Sequence, residues 1–279
     1  MQRFLMALMM LVPFWASAEQ PHDSGRPAGL TLPLEYYSLD NGLRVVLAHD
    51  DSIPTVTVGT YYHIGFRLEP RGRTGFAHLF EHLMFQETPN LKKGEADGII
   101  AGNGGMGNGS TRFDYTNYFE VVPSNVLESA LFVEADRMRG LVVSGDSICN
   151  QKDVVKNEVR VNVLNRPYGG FPWLDLPQAA FENWHNAHNF YGELDEIDAA
   201  TYSDVKAFYD TYYIPANAVL VVAGAFDPKT IRPLIEREFG DLPKKPAPPR
   251  PAYEEPPQSH PKQGSRTDAL APQPGFSIG

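Results

Sequence analysis

His78-Leu79-Phe80-Glu81-His82 is the segment of this sequence with the clearest capacity for chemistry. In a helix, residues four apart differ by about 40° in direction, so His78 and His82 share one face. Two imidazoles placed this way can hold one zinc ion. Glu81 lies about 60° to the other side of His78, close enough to accept a proton from water on the metal. Leu79, Leu83 and Met84 are suited to anchor such a helix in a core. The competing reading is a pair of helix histidines that only cap or pack.

Zinc at a catalytic site takes three protein ligands and keeps one position open for water. A carboxylate or histidine on another element must supply the third. Glu158, at the end of Gln151-Lys-Asp-Val-Val-Lys-Asn-Glu158, is the candidate, and Asp153 on the same segment also qualifies. Taken alone, Glu158 reads better as a solvated helix charge than as a ligand. His63, His185 and His188 are weaker candidates. The last two lie beside Trp184 and Phe190 and read as partly packed.

These residues need elements to position them. Leu34 to Leu39 and Leu43 to Ala48 flank Asp40-Asn41-Gly42, and Asn-Gly between two β-prone runs predicts a hairpin. Val56 to His63 predicts a third strand, and Gly75 to Phe85 changes to helical periodicity. A short helix is expected before the glycine cluster Gly102 to Gly109. Ser110 to Val122 alternates like strand, with Asp114-Tyr115 near a turn. Asn125 to Arg139 is an amphipathic helix with Ser124 as expected N-cap and Glu128 in its first turn. Cys149 to Leu164 predicts a second long helix, broken by Asn165 to Pro172. Helical segments are expected near Trp173 to Trp184 and at Thr201 to Tyr213. Ala218 to Ala223 predicts a buried strand, and Asp227-Pro228 is expected to open a last helix to Phe239. The order implies an α+β fold, a mostly antiparallel sheet covered by helices.

Composition narrows the field. The 279 residues carry 34 acidic and 24 basic side chains, a formal net charge of −10, which speaks against a nucleic-acid partner because phosphate binding needs a basic footprint. The single cysteine, Cys149, excludes an internal disulfide framework and a cysteine-rich zinc site, and reads as an inert structural thiol. Residues 1–18 read as a signal peptide: Arg3, an apolar run from Phe4 to Trp15, then Ala16-Ser17-Ala18 as cleavage site. No stable membrane anchor is expected, and the location implied is the periplasm or, as the alternative, the exterior.

The inverted motif His78-x-x-Glu81-His82 with a distal Glu158 resembles the insulinase/pitrilysin family of zinc metallopeptidases, which includes mitochondrial processing peptidase. The likeness extends to Gly72 to Phe85, to Asn108-Gly-Ser-Thr-Arg-Phe-Asp-Tyr-Thr-Asn-Tyr118, and to Asp153 to Glu158 followed by Asn165-Arg-Pro-Tyr-Gly169. It implies a zinc endopeptidase acting on extended or unfolded peptides, with one Zn2+ held by His78, His82 and Glu158 and with Glu81 as general base. It also implies that Asn108 and Gly109 lie on an edge strand to which the peptide substrate adds. The alternative is a non-catalytic, polypeptide-binding subunit of a two-subunit peptidase.

Departures from the family pattern stand beside these features. Gln151 replaces a second Glu common two turns before the distal ligand; it can orient a ligand but supplies no charge. Gly109 replaces a usual Ala, and Phe66 stands where a small residue is common. Gly102-x-Gly104-x-x-Gly107 matches a dinucleotide-binding glycine pattern, but strand-like sequence follows it where a helix should. The sequon Asn108-Gly-Ser110 falls in the presumed substrate strand, which argues against glycosylation. Phe208, Tyr209, Tyr212 and Tyr213 read as core at a helix end.

The expected organisation is residues 19–33 as an N-terminal extension, 34–242 as the zinc-binding domain, and 243–270 as a Pro-rich, semi-rigid linker. Ten of the 24 prolines fall between Pro243 and Pro274, which sets that boundary. Residues 271–279 look like the start of a second half. Family members close two similar halves around the peptide, so a second homologous half or a partner subunit is expected. Truncation of a longer chain is favoured slightly over a natural subunit.

Overall fold

A computed structural model describes residues 33–279. The signal peptide expected over residues 1–18, and all of the expected extension except Pro33, lie outside the described residues. The predicted hairpin forms: β1 (Leu34–Ser38) and β2 (Arg44–His49) pair antiparallel through the turn at Asn41-Gly42. Asn41 does more than turn the chain, because its side-chain amide donates to the carbonyl of Phe239 at 2.7 Å.

The remaining strands are β3 (Thr55–Tyr62), β4 (Met106–Thr111), β5 (Thr116–Pro123) and β6 (Ala218–Gly224). They form one six-stranded sheet in the order β1-β2-β6-β3-β5-β4. Every pairing is antiparallel except β2 with β6. The helices are α1 (Phe76–Leu83), α2 (Glu95–Gly102), α3 (Leu127–Arg139), α4 (Gly145–Val159), α5 (Asp175–Ala180), α6 (Trp184–Ala187), α7 (Leu194–Ala199), α8 (Tyr202–Tyr212) and α9 (Ile231–Phe239). Among the described residues, no helix is long and apolar enough to cross a membrane.

Alternate residues of each central strand are buried, as the period of two requires. Val45 and Leu47, Leu220 and Val222, Val58 and Tyr62, and Tyr118 and Val122 share one core with Phe76, Leu79, Phe80 and Leu83 of α1. Leu131 of α3, Phe208 of α8 and Ile235 of α9 join the same core. Each such side chain contributes roughly 1.5–3 kcal/mol on burial. On the other face, Tyr36, Tyr61 and Met106 are exposed.

Some local expectations need correction. The glycine cluster is itself partly strand, since β4 begins at Met106. Ser124 does not cap α3; it sits in a 3-10 turn, Ser124–Val126, that precedes the helix. α4 starts earlier than Cys149, because Ser144 and Ser147 form a reciprocal capping box there, and residues 160–164 continue as a π-helix. Pro228 lies in a turn closed by the Asp227 carbonyl, and α9 starts at Ile231. Cys149 is exposed on α4 rather than packed.

Residues 243–279 contain no strand or helix. They lie along the domain surface through specific contacts. Glu255 accepts from the backbone N–H groups of Glu182 and Asn183 and from the Asn186 amide, and Asp268 accepts from the Tyr168 N–H at 2.8 Å.

Candidate metal centre

α1 begins on a left-handed Gly75, φ 80°, where a Cβ would come within 2.7 Å of the Tyr191 carbonyl oxygen. Only glycine meets both demands. From that start, Leu79, Phe80 and Leu83 turn into the core. His78 and His82 then point to the opposite side, where α4 brings up Glu158. Ile148, Val155 and Val159 anchor α4.

The two imidazole Nε2 atoms lie 3.3 Å apart. Glu158 straddles them, with Oε1 3.6 Å from His78 Nε2 and Oε2 3.3 Å from His82 Nε2. All three ligand atoms lie within 4.8 Å of one another. Tetrahedral zinc with Zn–N bonds of about 2.0–2.1 Å separates its ligand nitrogens by about 3.3 Å. The donor set therefore fits the ion. Electrostatics agree: burial first, then the neighbouring His82, lowers the His78 pKa to about 4, leaving a neutral imidazole. The hydrogen bond with His82 holds the Glu158 carboxyl below its ordinary value. His78 Nδ1 is buried and has no hydrogen-bond partner among the described residues.

Glu81 faces β4, where Thr111 Oγ1 donates to its Oε2 at 2.6 Å. Burial pushes the Glu81 carboxyl up, with the Thr111 hydroxyl opposing. Among the described residues β4 pairs only with β5, which leaves its other side as a sheet edge. Asn108 is exposed on that edge, and its Oδ1 accepts from the Gly109 N–H. A Cβ on Gly109 would lie 3.3 Å from Glu81 Cγ and 3.1 Å from the Phe85 ring, so glycine lets β4 approach α1 closely.

A cleft of about 390 Å³ opens beside these groups. His78, Glu81 and Glu158 line it together with Phe66, Phe113, Trp173, Phe190 and Tyr191. Phe66, the departure noted in the sequence, stacks on Phe190 with ring centroids 5.1 Å apart.

The remaining candidates fall elsewhere. Asp153 is exposed and pairs with Lys156 at 3.0 Å. His185 Nδ1 meets the Arg67 carbonyl at 2.8 Å. His188 is buried and stacked on Trp184, where Glu69 lies 3.6 Å from its Nε2. Burial disfavours its imidazolium, yet Glu69 and nearby carbonyls outweigh this and raise its pKa. Gln151 is buried on α4 two turns before Glu158. Sequence reasoning missed Thr111 and Tyr191. Thr111 was findable, because it alternates with Gly109 on the same face of β4.

Residues 44–168 match the model of the insulinase family, peptidase family M16, and residues 199–279 match that of the peptidase M16 inactive domain. The chain belongs to the insulinase family. It is 33% identical over 213 residues to the zinc protease PqqE of Helicobacter pylori, across 75% of this chain and 47% of that protein. It is 25% identical over 206 residues to the mitochondrial-processing peptidase subunit beta of Blastocladiella emersonii, across 74% of this chain and 44% of that one. The crystal structure of a protease from Helicobacter pylori superposes with a TM-score of 0.77 at 32% identity, covering 83% of this chain and 56% of that chain. The chain thus spans about half the length of the curated relatives it matches. Its α+β architecture is that of an insulinase-family domain.

Proposed function

We propose that this chain carries the metal centre of a zinc endopeptidase that hydrolyses extended or unfolded peptides. The observation that carries the reading is the pair of imidazole nitrogens 3.3 Å apart, straddled by the Glu158 carboxylate. His78, His82 and Glu158 would hold one Zn2+. Bound zinc polarises a scissile carbonyl and makes water nucleophilic at neutral pH. Glu81 acts as general base: its Oε1 takes a proton from the attacking water while Thr111 holds Oε2, and the proton then passes to the leaving amine. The upward pKa shift suits the first transfer, because a carboxylate of higher pKa is the stronger base. Asn108 and Gly109 offer the β4 edge to an extended peptide, which adds as a strand. Gln151 helps to orient the segment that carries Glu158.

A second reading is a non-catalytic, polypeptide-binding subunit. It draws on the match of residues 199–279 to the peptidase M16 inactive domain. In either reading, a second homologous half or a partner subunit encloses the peptide, with residues 243–270 as linker and 271–279 as the beginning of that half. Residues 1–18 direct export to the periplasm.

The test uses the full-length gene product purified from metal-replete, chelator-free medium. Near-stoichiometric zinc and cleavage of an unfolded peptide are expected, and Glu81→Gln should keep the zinc and lose the cleavage. Folded protein without zinc counts against the site, and hydrolysis retained by Glu81→Gln removes Glu81 as base. Zinc without cleavage, alone or with a partner, selects the binding subunit.

A further inference from the structure

The helix bearing three of the four proposed active-site residues is only eight residues long. Isolated helices of this length are unstable, and each end leaves backbone groups without intrahelical partners. Gly75 brings no side-chain cap. Among the described residues, His78 Nδ1 also has no acceptor of the kind that commonly fixes a metal-binding imidazole. The direction of His78 therefore depends on where the backbone of α1 is held.

Two buried charges hold it. At the N-terminus, Glu69 is wholly buried and accepts from two backbone N–H groups, Gly75 at 2.9 Å through Oε2 and Ala77 at 2.7 Å through Oε1. His188 stands behind it, its Nε2 3.6 Å from Glu69 Oε2 and its Nδ1 2.9 Å from the Trp184 carbonyl. The His188 ring stacks on Trp184, with centroids 4.2 Å apart and planes 12° from parallel. At the C-terminus, buried Arg137 donates from Nε to the Met84 carbonyl at 3.1 Å. Its Nη1 contacts Glu134 and reaches Glu120 at 3.3 Å. The guanidinium also sits over the rings of Tyr118 and Phe85.

The polarity matches the helix dipole: an anion at the positive end, a cation at the negative end. Burying a charge is costly unless it is paired and hydrogen-bonded. Both charges here are paired, and each also bonds backbone at an end of α1. An uncharged cap would satisfy the same amides at lower cost, so the arrangement calls for a role beyond solubility or general packing.

We propose that Glu69, backed by His188, and Arg137 are positioning residues that clamp the two ends of α1 and so set the mutual geometry of His78, Glu81 and His82. The proposal rests on the metal reading above, and its test separates the two. Glu69→Gln keeps the shape but replaces one acceptor oxygen by a donor facing a donor. The expected results are a zinc dissociation constant raised about 10- to 100-fold, a lower kcat with KM nearly unchanged, and faster amide exchange from Gly75 to Leu79 in metal-free protein. His188→Gln leaves both Glu69 bonds in place and should move the same quantities in the same direction by less. The pair should be non-additive, with the double variant close to Glu69→Gln alone.

A purely structural role would lower the melting temperature while zinc affinity, kcat and α1 exchange in the folded fraction stayed within about twofold of wild type; that result overturns the clamp. If Glu69→Gln does not fold, His188→Gln decides by the same criteria. If the wild type itself binds no zinc, the metal reading fails, and the clamp stands or falls on the exchange measurement.

Discussion

Thr111 Oγ1 donates to Glu81 Oε2 across 2.6 Å, tying the edge strand β4 to the helix that carries the histidine pair. The bond fixes one oxygen of the proposed base and lowers a pKa that burial alone would push further up. It also joins the surface proposed to receive the peptide to the residue proposed to act on it.

Thr111→Val preserves shape and removes this donor. Glu81 should then titrate higher, so the acid limb of the kcat/KM profile moves to higher pH. A hydrogen bond to a charged group is worth about 1.5–3 kcal/mol, so kcat near neutrality should fall about tenfold or more. A pH–rate profile of wild type and variant checks both effects. An unmoved acid limb would show that Glu81 is not the titrating group.

Glu158→Gln keeps the side-chain volume and removes the charge. Zinc affinity, measured by chelator competition, should fall more than about 100-fold, beyond the loss typical of residues that only support a ligand. The melting temperature of metal-free protein should barely change, because the pairing with His82 is partly solvent-exposed and weak. Unchanged zinc affinity would dismiss Glu158 as the third ligand.

Phe80→Ala tests how far the metal centre depends on the core. The Phe80 ring is fully buried and stacks against Phe208 and Tyr213, at 4.8 and 5.1 Å between centroids. Its loss should cost about 3–5 kcal/mol by chemical denaturation. Zinc affinity should fall with it, since the next residue is Glu81 and the histidines flank both.

His188 gives stability a sign with pH. Its folded-state pKa is raised, so protonation favours the native state. That contribution is fully present below the unfolded value of about 6.5 and is lost as pH rises through the folded value. Wild-type melting temperatures should therefore decline from pH 6 toward pH 9 more steeply than those of His188→Gln. Parallel curves would contradict the coupling to Glu69.

The sequence alone determined the chemistry that depends on local periodicity. The spacing of His78, Glu81 and His82 puts them on one side of a helix wherever that helix sits, because the helical repeat is a property of the backbone. Asn41-Gly42 likewise dictates its hairpin through local φ preferences. The match of Glu158 came from family likeness; spacing alone left Asp153 open. Tertiary structure separated them, because α4 packs with Ile148, Val155 and Val159 inward, turning Glu158 toward α1 and Asp153 toward solvent.

The parallel pairing of β2 with β6 joins residues far apart in sequence, and no local pattern carries that information. The same holds for Thr111 on Glu81, Arg137 at the C-terminal end of α1, and His188 behind Glu69. Each is an ordinary polar residue in its own segment. Each gains its role only when burial removes water and leaves protein groups as the partners for its charge or hydrogen bond.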